Sequence, residues 1–250
     1  MSENIRLGLL FLVCGQDVCQ PVVWKEFIDS ANGQTRIFCH PKQPLRRDSL
    51  LCGREIQENC ETRWGHVGIV LAMFALLRAA MADETLTHFL FVSESCVPIK
   101  PWVRIEASLA SDPRSRLRWC SWSEMRPVHR TRKRETSIAP AFWRHHPQWA
   151  VLNRETAAFL LDHADAIEHF QDVSCADEHA FGSILAIHGY AMDRINSCPA
   201  TWTWWRASKH PETIDSVTPE LHRQWVEFEG FCARKFSPLS NVGALRLHLA

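Results

Sequence analysis

Short, almost uninterrupted apolar runs alternate with helical patterns along this chain, and that rhythm constrains its fold more than any other feature. "RLGLLFLVC" precedes "VVWKEFIDSA", and "TRIFCH" precedes a polar loop and "HVGIVLAMFALLRAAM". "THFLFVS" follows, and later "WAVLN" runs into "RETAAFLLDHAD". A half-solvated strand alternates apolar and polar residues. "FLFV" does not, so it belongs inside a sheet covered by helices on both faces. Repetition of the strand–helix unit predicts an α/β fold with a largely parallel sheet. With 250 residues, of which 46% are hydrophobic, the chain can build one large domain.

Charge excludes some partners. Lys plus Arg (28) balance Asp plus Glu (28), so no global field points to nucleic acid. The stretch "RPVHRTRKRETSIAP", residues 126–140, is basic but lacks interleaved aromatics; it is expected to be a long loop, and no nucleic-acid partner is expected. The apolar run Leu7–Val13 reads as a strand rather than a signal peptide. The longest apolar segment, Val67–Ala82, contains Arg78 and falls short of the roughly 20 residues that span a bilayer. The chain as given is therefore expected to be soluble and without a transmembrane segment, with the cytoplasm favoured. Its ten cysteines include no CxxC pair, so zinc-module spacing is absent, while Cys14 with Cys19 or Cys52 with Cys60 stay open as disulfides.

Ligands of parallel α/β sheets bind beyond the carboxyl ends of the strands. "THFLFVSESCVPI" puts Ser93, Glu94 and Ser95 at such an end, with Pro98 expected to stop the ladder. GxGxxG, GxxxxGK[ST] and GxSxG are absent. D-x-D is absent too, so no metal is expected and a bound diphosphate would depend on cations. Arg234 and Lys235 in "FCARKFSP" are candidates, as are Arg206 and Lys209 in "WWRASKHP".

Eleven tryptophans against one tyrosine supply flat faces suited to stacking on sugar rings. In "TWTWW", strand alternation sends Trp202 and Trp204 to one face and Trp205 to the other. "SCADEHAFGSILAIHG", residues 174–189, reads as a short helix with Phe181, Ile184, Leu185 and His188 on one face. Asp177 and Glu178 flank that face, and Ser174 or Asp177 is expected to cap the helix.

Taken in order, these segments resemble the core-2/I-branching N-acetylglucosaminyltransferase family, including its plant members, and more distantly the peptide O-xylosyltransferases. "RWGHVGIVLAMFALLRAAM" is similar to the family's "WG" helix, and "FLFVSESCVPIKPW" to its "LLSESCIPL" signature. "FWRHHPQWAVLNRETAAFLL" resembles "WRKGSQWFEMNR" with the helix after it, and "DEHAFGSILAI" the "DEH" helix. "NSCPATWTWW" followed by "HP" resembles "N…VDWS…HP", and "FCARKF" the terminal "FARKF".

The resemblance implies a single GT-A type, Rossmann-like domain over residues 1–250, with a donor-binding part at about 1–120 and an acceptor and catalytic part at about 121–250. It implies an inverting, metal-independent glycosyltransferase without cofactor, moving a sugar, N-acetylglucosamine first, from a UDP-sugar to a glycan hydroxyl. Glu178 would be the general base, with Asp177 supporting it. Lys235, helped by Arg234 and by Arg206 or Lys209, would bind the diphosphate, with Ser93, Glu94 and Ser95 near the donor sugar or ribose. Glu124, Arg130, Trp149 and Trp204 fall where the family meets acceptor sugar. Two departures stand out: His145, His146 and Pro147 replace "KGS", and Thr203 replaces the Asp of "VDWS". The alternatives are a catalytically inactive carbohydrate-binding module of this fold and a UDP-xylose-dependent transferase. The family's usual N-terminal membrane anchor and stem are not found in this sequence, so Golgi residence is not expected to carry over; the resemblance leaves the Golgi lumen open as the alternative to the cytoplasm.

Overall fold

The computed structural model describes residues 4–132, 136–205 and 210–245. Its first strand, β1 (Leu7–Val13), pairs in parallel with β2 (Thr35–Pro41) on one side and β3 (His88–Ser93) on the other. The alternation predicted for a doubly covered sheet is visible residue by residue. Leu7, Leu9, Phe11 and Val13 of β1 and Leu90 and Val92 of β3 pack on one face, against Trp24 and Phe27 of α1 (Pro21–Ser30) and Trp102, Ile105 and Leu109 of α3 (Trp102–Ser111). Leu10, Phe89 and Phe91 point to the other face. There they meet Met73, Phe74 and Leu77 of α2 (Gly68–Met81), Leu160 of α5 (Arg154–Asp162) and Phe181, Ile184 and Leu185 of α6 (Ala180–Ile187). Each such aromatic or aliphatic side chain contributes about 1.5–3 kcal/mol by leaving water.

The full sheet has the order β2-β1-β3-β6-β5-β7, with β5 at Ser115–Arg116, β6 at Val151–Asn153 and β7 at Ile195–Asn196. The fold class is thus α/β with a mostly parallel central sheet flanked by helices. One expectation needs correction. "WAVLN" does not open another parallel unit, because β6 runs antiparallel to both β3 and β5. The helix that follows it still begins as the sequence suggests, with the Asn153 side chain accepting from Thr156 N to satisfy a free helical donor.

A second, three-stranded sheet orders β4 (Val97–Pro98), β9 (Cys232–Arg234) and β8 (Thr201–Thr203), backed by α7 (Pro219–Glu227) through Leu221 and Trp225. Pro98 therefore does not stop pairing. It lies in an edge strand opposite Cys232, where only one neighbour needs ladder hydrogen bonds. The 126–140 segment is not wholly loop either: α4 (Pro127–Thr131) starts with a proline at its first turn, a position where the missing N–H costs nothing. All ten cysteines are free thiols, so neither the Cys14–Cys19 nor the Cys52–Cys60 disulfide is formed. No helix among the described residues is long and apolar enough to cross a membrane.

Candidate active site

The sheet order brings two distant sequence segments to the end of β3. Cys96 N donates to Ser93 O, closing a turn in which the Ser93 and Ser95 hydroxyls lie 3.0 Å apart and Glu94 stays half-buried. β9 runs antiparallel alongside this turn, pairing Ala233 with Val97, and Phe236 N donates to Ser95 O at 2.9 Å. Arg234 and Lys235 are thereby set beside Ser95. The Gln20 side-chain amide donates to Ser237 O at 2.7 Å and to Ser240 O at 3.2 Å, pinning the chain just past Lys235.

These cations are not loosely solvated. The Arg234 guanidinium lies 4.7 Å from the ring centroid of the buried Trp149, and its Nε is buried without a hydrogen-bond partner. Burial pulls the Lys235 amine below its ordinary pKa, the Arg234 charge adds to this, and Glu94 opposes it. A pair of partly desolvated cations beside a carboxylate is suited to gripping an anion, since electrostatic interactions strengthen as water is excluded.

Glu178 sits on a rigid turn. The segment 174–189 is not one continuous helix: a 3-10 turn covers Ala176–Glu178, His179 breaks it, and α6 starts at Ala180. The N-cap positions are taken by Cys175 and His179, neither of which makes a side-chain cap, so Ser174 and Asp177 are not the N-caps expected from the sequence. His188 is also not on the buried stripe; it is the C-cap of α6 and is exposed. Cys175, which precedes the turn, adopts a left-handed φ of 53°, uncommon for a residue with a side chain, and donates from N to Gly65 O at 2.8 Å. Gly65 has φ +72°, which explains why the "WG" segment needs glycine there.

On its other side the turn is tied to residues 144–146. His146 N donates to Glu178 O at 2.9 Å, and the His179 ring bonds through Nδ1 to Arg144 O at 2.7 Å. Arg144 N donates to Ser183 Oγ at 2.9 Å. Gly182 permits this close approach, because a Cβ on it would lie 2.9 Å from Arg144 Cβ and 3.0 Å from His146 Cδ2.

The Glu178 carboxylate keeps 34% of its side-chain surface exposed and accepts a hydrogen bond from Arg132 Nη1 at 2.5 Å. Burial raises the neighbouring Asp177 carboxyl to about 7, the Glu178 charge raises it further, and Arg132 and Arg234 oppose both. The Arg132 charge and the Arg234 charge of β9 thus both reach Asp177. His145, His179 and His146 are all held neutral, chiefly by burial, with values lowered to about 2, about 3 and about 4.

The remaining predicted residues spread wider. Glu124 is exposed and accepts from Ser121 N and Oγ, closing its own turn. Arg130 donates to Ser123 O and lies 5.6 Å over Trp122. Trp202 and Trp204 have ring centroids 6.5 Å apart and pack on the core of the small sheet with Leu221 and Trp225, while Trp205 is 59% exposed, as alternation predicted. Arg206 and Lys209 lie outside the described residues. A separate pocket of about 510 Å³ between α3 and α7 is lined by Lys100, Arg104, Asp112, Arg116 and Glu229 and by none of the candidate residues.

Sequence reasoning missed Arg132, hidden in a basic stretch, and the neutral histidine cluster. The doubled "HH" at 145–146 was the available signal, since two adjacent imidazoles beside apolar residues are not explained by strand alternation.

The chain is similar to glycosyltransferase BC10 of Oryza sativa subsp. japonica, with 25% identity over 175 residues. That match covers 67% of this chain and 43% of the relative, so the chain spans less than half the length of the curated relative it matches. The family model for core-2/I-branching enzymes matches residues 10–226, taking in both the β3 turn and the Glu178 turn. The chain belongs to the core-2/I-branching enzyme family.

Proposed function

We propose that this chain is an inverting glycosyltransferase that moves a sugar, N-acetylglucosamine first, from a UDP-sugar to a glycan hydroxyl without a metal. What supports the reading is a half-exposed carboxylate, Glu178, held on a turn whose neighbouring Asp177 feels the Arg234 charge, together with the partly buried cations Arg234 and Lys235 beside the β3 turn. The diphosphate lies against Arg234 and Lys235, and the donor sugar or ribose lies near Ser93, Glu94 and Ser95.

The acceptor hydroxyl oxygen attacks the anomeric carbon from the face opposite UDP while Glu178 takes its proton. The bond from the anomeric carbon to the UDP oxygen breaks, and the charge growing on UDP is balanced by Lys235 and Arg234. Arg132 fixes the carboxylate through Oε2. Asp177, partly protonated near neutral pH, supports the turn without adding a full second charge. Glu124, Arg130, Trp149 and Trp204 are the acceptor-side candidates, with Trp149 acting through Arg234.

Incubation with UDP-N-acetylglucosamine or UDP-xylose, a glycan panel and EDTA tests this. An inverted glycosidic product with UDP release is expected. A strict requirement for Mn²⁺ overturns the metal-free scheme, and glycan binding without any turnover replaces the reading with an inactive carbohydrate-binding module.

A further inference from the structure

His129 of α4, His145 and Glu178 come from three separate segments, yet each presents a ligand atom within 4.8 Å of those of the other two. The two imidazoles are tilted against each other with centroids 3.6 Å apart at 33°, and His145 Nε2 lies 3.9 Å from Glu178 Oε2. Nδ1 of His129 is buried with no hydrogen-bond partner, a cost that a bound ligand would remove.

We propose that His129, His145 and Glu178 form a three-ligand site for a borderline divalent transition metal of the zinc class, and that its occupancy displaces Arg132 and blocks Glu178. Two imidazole nitrogens and one carboxylate oxygen suit zinc, cobalt or nickel rather than magnesium or calcium, which prefer all-oxygen shells. Metal bonds of about 2.0–2.2 Å put tetrahedral ligand atoms roughly 3.3 Å apart, so the cluster must close by about 1.5 Å at its widest. A rotation of the Glu178 carboxylate supplies that closure once it leaves Arg132. Three protein ligands leave a fourth position for water.

At rest Arg132 is the cation on this carboxylate, at 2.5 Å. Metal and guanidinium cannot share it without strong repulsion, so the two compete. His145 thereby gives the base a metal-sensitive neighbour. Metal binding stands on the ligand geometry alone; only its effect on turnover rests on Glu178 being the base.

The test titrates the full chain with Zn²⁺ by calorimetry and with Co²⁺ by absorption. One metal per chain is expected, with a nitrogen–oxygen cobalt spectrum lacking thiolate charge-transfer bands. His129→Gln and His145→Gln are each expected to weaken binding more than the roughly 100-fold that loss of an outer partner costs. Arg132→Gln is expected to tighten binding about tenfold or more by removing the competing charge. Thermal melts without metal identify any variant that fails to fold, and His129, on the surface helix α4, is the position least able to disturb the core. A thiolate band, undiminished binding in the His129→Gln/His145→Gln double variant, or no binding overturns the site. Zinc bound there with transfer unchanged overturns the block. Transfer absent under every condition, with the metal still bound, counts against the glycosyltransferase reading and leaves the site standing.

Discussion

Arg132 and Glu178, 46 residues apart, meet at 2.5 Å and place the end of the basic segment over the Glu178 turn. Removing the carboxylate tests what this contact orients. Glu178→Gln is expected to lower transfer by about 10²–10⁴-fold while leaving UDP affinity nearly intact, as befits loss of a general base. Asp177→Asn is expected to cost far less, because that carboxyl is already partly protonated near pH 7. Steady-state kinetics with UDP titrations on both variants decide it; wild-type turnover in Glu178→Gln removes the base assignment.

Lys235→Ala is expected to weaken UDP binding about 10–100-fold in EDTA, the loss of one charge-assisted contact in a partly desolvated site. Trp149→Leu should weaken it less, through lost cation–π support of Arg234 worth roughly 1–2 kcal/mol. Calorimetry with UDP reads both, and equal affinity in Lys235→Ala would show that the diphosphate lies elsewhere.

Gly182→Ala is expected to destabilise the fold by about 1–3 kcal/mol, the usual cost of forcing extra volume into a packed core. The added methyl would press on Arg144 Cβ and His146 Cδ2, and so shift the segment that carries His145. Urea unfolding measures the cost; no change in the midpoint would mean that Arg144 and His146 yield freely.

Acid should destabilise the protein from pH 6.5 downward. His146 and His179 are buried neutral with folded values lowered to about 4 and about 3, whereas unfolded imidazoles titrate near 6.5. Their stabilising contribution is complete above 6.5 and is lost as pH falls towards the folded values, roughly 3 kcal/mol for His146 over the whole range. Asp177 works the other way, since its raised carboxyl makes the fold lose stability as pH rises through about 4 to 7. Two buried imidazoles outweigh one carboxyl, so urea midpoints at pH 5 should fall below those at pH 7. His146→Gln should flatten that slope, and an unchanged midpoint in the wild type would contradict neutral burial.

Much of the sheet was legible because burial on both faces writes itself into sequence as unbroken apolar runs; Phe89 to Val92 could hardly be anything else. β6 was misjudged in direction because periodicity reports which face a side chain takes, never which way a strand runs. The two-residue β4 and β5 carry no period to detect. In the candidate site, ordered motifs pointed to Glu178, Arg234 and Lys235, and the structure brings Arg234 and Lys235 to the β3 turn. Arg132, His129 and His145 were not seen as partners, since their meeting depends on the tertiary path of α4, which local chemistry does not encode.

The reversed direction of β6 has a consequence for how the chain can assemble. β1, β2 and β3 pair from residues 7 to 93 and can dock α1 and α2 as they emerge. β5 is synthesised before β6 but reaches β3 only through it, because β6 lies between them. Until Asn153 has been made, β3 holds an open edge, and the segment from β5 through α4 has no sheet to join. A ribosome-bound chain halted before that point would expose a parallel three-stranded ledge, the kind of surface on which a folding helper acts or aggregation begins.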